Sequence, residues 1–120
     1  MNPWILLDSV RAPDNGEQLR LLQRDTEFSI KVGNYELMNS RVHGSEEALA
    51  ELTCGRIADR PHSRVLIGGL GMGYTLAAAL RTLRADSTLV VAEWVPAVVL
   101  WNRGPLAHLA GHPLDDNRVQ

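Results

Sequence analysis

The stretch VLIGGLGMGYTLAAALRTLRADSTLVVAE, residues 65–93, decides how this chain folds. Val65, Leu66 and Ile67 form a short apolar strand, and glycines follow at 68, 69, 71 and 73. From Tyr74 to Arg84 the residues Leu76, Leu80 and Leu83 recur at helical spacing, and Thr88 to Ala92 is a second apolar strand. Strand, glycine turn, helix and strand in that order predict a parallel sheet with a crossover helix. Glycines 69, 71 and 73 allow a sharp turn and close approach of backbone to a ligand, and the helix amino terminus offers free N–H groups. Glu93 lies 20 residues after Gly73 (93 − 73). At the tip of the second strand its carboxylate is placed to accept hydrogen bonds from ribose hydroxyls. The candidate ligand-binding residues are therefore Gly69, Leu70, Gly71, Gly73 and Glu93, and the candidate ligand is a small nucleoside.

Upstream, Ser45 is a cap candidate with Glu46 and Glu47 in the first turn behind it, which predicts a helix to about Ala58. Ala48, Leu49, Leu52 and Ile57 are its expected buried stripe, and Pro61 lies past its end. The first forty residues read as an antiparallel meander. Trp4 to Leu7 is apolar, Pro13 to Gly16 is a dense turn signal, and Phe28, Ile30 and Val32 alternate with Ser29 and Lys31. Gly33 and Asn34 then turn the chain into Tyr35, Leu37 and Met38 as a hairpin. Downstream of Glu93, Pro96 opens a helix through Asn102, Gly104 and Pro105 interrupt it, and Leu106 to Ala110 is expected to resume it. Arg118 to Gln120 opens a further strand. The expected fold class is α/β: a β-strand region over 1–44, then over 45–120 the first half of a Rossmann-like parallel sheet of the class I methyltransferase type. Two complete strands and the start of a third leave apolar edges, so the domain is expected to be incomplete and to form homo-oligomers.

The 120 residues are 45% hydrophobic and 22% charged, with 12 basic against 14 acidic side chains and a net charge of −2. A near-neutral chain argues against nucleic acid as the main partner. Its apolar runs are shorter than the roughly 20 residues that span a membrane, so no membrane partner is expected. The single cysteine, Cys54, allows no internal disulfide and no Cys-rich zinc site; together with the lack of a leader pattern it gives a cytoplasmic expectation. Cys54 itself reads as a small buried side chain. His43 beside Glu46 and Glu47 reads as a helix entry, and His108 and His112 are separated by the breaker Gly111, so no metal is expected. Trp94 and Trp101 read as core or interface residues, and Asp115 and Asp116 as a solvated turn.

Tyr74 stands where a dinucleotide fold places its third glycine, so a pyrophosphate meets a bulky side chain there. Ligands of the S-adenosylmethionine type carry no phosphate and need only the glycine turn and the ribose acid. From Tyr35 through Gln120 the chain resembles the polyamine aminopropyltransferase (spermidine synthase) family. The strand region, helix, cofactor turn, acid-tipped strand and the closing run Leu114, Asp115, Asp116, Asn117, Arg118, Val119 carry the likeness. The resemblance implies aminopropyl transfer from decarboxylated S-adenosylmethionine to putrescine, with Gly69, Gly71 and Gly73 lining the cofactor and Glu93 holding its ribose. It also departs from the family pattern. Met72 stands where the family has an aspartate near the cofactor's amine, and residues 43–48 match the family's Tyr-His/Gln-Glu segment poorly. The family's acids for adenine and for deprotonating the acceptor lie beyond Gln120, so no catalytic residue is assigned and this chain is expected to be inactive alone. A methyltransferase-like protein and a non-catalytic self-associating module are the alternatives.

Overall fold

The first forty residues form a four-stranded antiparallel sheet whose strands lie in sequence order, with Leu19, Leu21, Phe28 and Ile30 buried in its two central strands. The computed structural model describes residues 2–120, which divide into two units, 2–42 and 43–120. In the first unit the strands are β1 (Ile5–Arg11), β2 (Gln18–Arg24), β3 (Glu27–Val32) and β4 (Tyr35–Asn39). Leu21 pairs with Ile30 and Leu19 with Val32 across β2 and β3. Leu21 and Ile30 are fully buried, and each such side chain contributes about 1.5–3 kcal/mol by leaving water. The predicted Gly33–Asn34 hairpin is present, with Val32 opposite Tyr35. On the other face Ser29 is buried and donates its hydroxyl to Glu36 Oε2 at 2.7 Å, holding that carboxyl below its ordinary range. β1 is an edge strand that slips register between Leu6 and Asp8, and Ile5, Leu6 and Leu7 are exposed along it.

The second unit contains α1 (Gly44–Cys54), a single 3-10 turn over Gly55–Ile57, β5 (Arg64–Gly68), α2 (Tyr74–Thr82), β6 (Thr88–Ala92) and α3 (Pro96–Arg103). β5 and β6 are parallel, from Arg64 opposite Thr88 to Gly68 opposite Ala92. Beyond β6 the chain end adds a parallel bridge, Leu89 to Val119, where a further strand was expected to open. The Leu89 N–H donates to the Arg118 carbonyl at 2.9 Å, and the Gln120 N–H donates to the Leu89 carbonyl at 2.8 Å. Leu76, Leu80 and Leu83 are buried as their spacing predicts, together with Leu89, Val98 and Leu106.

Three expectations are corrected. The residue preceding α1 is His43, not Ser45, and it caps the helix with no side-chain bond. The α1 stripe is corrected in part: Leu49 and Leu52 are 61% and 75% exposed and Ala48 and Ile57 are half-buried, while Ala50 is buried and so, as expected, is Cys54. α1 packs on α2, whose contact face is itself rich in alanine, and small residues on both sides let the two backbones come close. Leu106 to Ala110 does not resume a helix but runs as successive turns. Gly104, at φ −123° and ψ −114°, takes the backbone out of helical geometry, and Pro105 has no N–H to resume the ladder. The apolar strand β5 is present, and it buries Ile67 but leaves Leu66 69% exposed, because successive side chains point to opposite faces of the sheet.

Candidate functional site

Because β5 and β6 are parallel and in register, they end level with each other and their following segments leave side by side. The Gly69 N–H donates to the Ala92 carbonyl at 2.8 Å. One residue on, the Leu70 N–H donates to Glu93 Oε1 at 2.8 Å, and Glu93 Oε2 accepts from the Val95 N–H at 3.0 Å. One carboxylate is therefore bonded to the backbone of the glycine turn and of the segment entering α3. An ionised carboxylate offers about four lone-pair positions, so about two remain for donors such as a pair of hydroxyls. Glu93 lines a cleft of about 270 Å³ whose walls include Leu70, Val91, Val99, Leu114 and Val119, with Arg103 as a second charged group. Apolar walls with one aligned carboxylate suit a flat base carrying a sugar. Val99, Arg103 and Leu114 were not foreseen from sequence, since they join the cleft only through the folding of α3 and the chain end.

The glycines of the turn divide into two kinds. Gly69, Gly71 and Gly73 all have positive φ, at 87°, 57° and 87°. A side chain on Gly69 would meet open space, so backbone there can be approached from outside. At Gly73 a Cβ would lie 3.1 Å from Pro113 Cγ and 3.3 Å from Asn102 Oδ1, so that glycine admits the packing of α3 and the Pro113 segment. Asn102 was missed at the sequence level. Its Nδ2 donates to the Gly71 carbonyl at 2.7 Å and to the Val98 carbonyl at 2.9 Å, fixing the turn from behind. A polar residue closing the apolar run Ala97 to Trp101 was the available signal. Leu70 and Met72, which alternate with the glycines, are both buried, and Met72 is only 2% exposed.

A second cluster joins the starts of α1 and α2. The ring of His43 stacks on Tyr74 with centroids 3.9 Å apart and planes 10° from parallel. His43 Nδ1 and Glu47 Oε1 share a hydrogen bond, and Glu47 Oε2 is 3.7 Å from Arg81 Nη2. Thr75 Oγ1 donates to the Glu46 carbonyl at 3.1 Å. Burial pushes the Glu46 carboxyl up, with His43 opposing and Glu47 adding to the shift. The Tyr74 phenol is also raised, first by burial and then by the two glutamates.

Asp116 is no solvated turn. It accepts from the Arg118 backbone N–H, Nε and Nη2, while Arg118 Nη1 donates to the carbonyls of Leu83 and Arg84 beyond α2. Those bonds hold the Asp116 carboxyl below its ordinary range. Asp115 is exposed. The tryptophans separate: Trp101 is core at 4% exposure, and Trp94, just after Glu93, is 63% exposed. No group of three or more His, Cys, Asp or Glu side chains that could hold a metal occurs among the described residues, and none of their helices is long and apolar enough to cross a membrane.

Neither a protein-family model nor a curated protein matches the chain. Solved structures do. A spermidine synthase in complex with the transition-state analogue AdoDATO aligns with a TM-score of 0.72 at 16% identity over 96% of this chain. The spermidine synthase from Thermotoga maritima aligns with a TM-score of 0.68 at 17% identity over the same share. The chain spans 39% of the length of each. At such identities the likeness is one of fold, and by fold the chain is spermidine-synthase-like over that span.

Proposed function

We propose that residues 43–120 form the nucleoside-binding part of a Rossmann-like domain of the class I methyltransferase type, and that they bind S-adenosylmethionine or its decarboxylated form. The observation that carries this reading is the Glu93 carboxylate, held against the Leu70 amide and lining a cleft with valine and leucine walls. The residues present fit such a ligand: Glu93 retains acceptor positions for ribose, the valines and leucines offer walls for the base, and Gly69 leaves the backbone open to the rest of the molecule. Within an aminopropyltransferase the acceptor amine forms a C–N bond as the sulfonium C–S bond breaks; methylthioadenosine leaves and the amine gives up a proton. The one carboxylate of the cleft is already bonded to two backbone amides, and no other acid lines it to take that proton. In this reading the 120-residue chain by itself binds the nucleoside without turning it over.

Calorimetric titration with S-adenosylmethionine, its decarboxylated form and methylthioadenosine, beside Glu93→Ala, tests the reading. Binding lost in the variant is expected. Turnover of putrescine by this chain would refute the inactivity, and equal binding by the variant would refute the site. Methyl transfer is the second reading, favoured by Met72, which puts a buried thioether where a carboxylate would face a cationic amine. Self-association through the exposed apolar edge of β1 and a cytoplasmic setting with no nucleic-acid or membrane partner belong to the same proposal.

A further inference from the structure

The glycine turn ends in a helix that no side chain caps. Gly73 is the N-cap of α2 and has no side chain to offer, and φ 87° there sets the helix off at a sharp angle. What holds the first turn of α2 instead is Tyr74, pinned under the His43 ring, with Thr75 tied to the Glu46 carbonyl. His43 is in turn fixed by Glu47, and Glu47 reaches Arg81 further along α2. These links join α1 to the residue directly after the turn. The opposite side of the turn is held separately, by Asn102 on the Gly71 carbonyl and by Glu93 on the Leu70 amide.

We infer that His43 is a positioning residue for the ligand turn: its stack on Tyr74 sets the start of α2 and so the direction of the backbone amides from Gly71 to Tyr74. This rests on the reading of that turn as a nucleoside site. A ring stack is worth enough that its loss should weaken nucleoside binding by about tenfold, if the binding geometry depends on it.

The test compares the wild-type chain with His43→Ala, His43→Phe and the exposed α1 control Glu51→Ala. Three quantities are read: affinity for S-adenosylmethionine, Tm, and the amide resonances of Gly71 and Gly73 without ligand. His43→Ala is expected to lose affinity about tenfold and to move the glycine resonances. His43→Phe, which keeps the stack, should recover most of both, and Glu51→Ala should change neither. A His43→Ala chain with a lowered Tm but wild-type affinity and unmoved glycine resonances overturns the inference, as does a His43→Phe chain no better than His43→Ala. Should His43→Ala fail to fold, His43→Gln carries the same expectation. If the wild-type chain binds no nucleoside, the functional reading fails by itself, and the glycine resonances still decide whether His43 positions the turn.

Discussion

Glu93→Gln is the most informative single change, because it keeps the shape of the side chain and removes only its capacity to accept at both ends. In the native chain Oε1 and Oε2 accept from Leu70 and Val95 at 2.8 and 3.0 Å. The amide of glutamine satisfies one of these with its oxygen and turns an NH₂ group against the other N–H, donor to donor. A hydrogen bond to a charged group contributes about 1.5–3 kcal/mol, and a stranded buried donor costs a comparable amount. Glu93 is half-buried, so water recovers part of that loss, and a destabilisation of about 1–2 kcal/mol is expected, a fall in Tm of roughly 5–15 °C for a domain of this size. Ligand binding suffers a second loss, since glutamine can accept from only one ribose hydroxyl, worth about tenfold or more in Kd. Thermal unfolding followed by circular dichroism and calorimetric titration measure the two. An unchanged Tm would show that the carboxylate does not hold the turn to α3, and the structural reasoning would fall with it.

Gly73→Ala should destabilise more than Gly69→Ala: both add about 1–2 kcal/mol of backbone strain, but only at 73 does the new methyl press on Pro113 and Asn102. Denaturant titration ranks them, and Gly69→Ala should show the larger loss of affinity relative to its loss of stability. Asn102→Ala strands the Gly71 carbonyl and should cost about 1–3 kcal/mol by the same titration. Asp116 has a folded pKa below its ordinary value of 3.8, so it adds stability that is present above that pH and lost as pH falls through the folded pKa. Acid unfolding of Asp116→Asn should accordingly be less steep below about pH 4 than that of the wild type.

The glycine turn, its flanking strands and the strand-tip acid were legible because each rests on local chemistry: apolar runs, positive-φ glycines and an acid at a fixed distance. The Gly33–Asn34 hairpin was legible for the same reason. The face of α1 was not. Leu49 and Leu52 look like a buried stripe by hydrophobicity, but in the helix that packs on α2 the buried residues are Ala50 and Cys54, and no periodicity of large apolar residues marks them. Asn102, His43 and Tyr74 act across separations of 31 residues in both cases, beyond any periodicity in the sequence. Leu106 to Ala110 has the composition of a helix, and the backbone at Gly104 overrides it.

Cys54 gives the chain a built-in clock for internal motion. It is the one thiol in the sequence. It lies buried in α1, the helix that packs on α2, and its thiol is pushed above the ordinary range by burial. A thiol-specific reagent reaches a buried thiol through local openings, so the rate of alkylation under native conditions counts the openings around Cys54 without any engineered label. Comparing that rate with and without nucleoside would show whether a ligand on the glycine turn is felt one helix away.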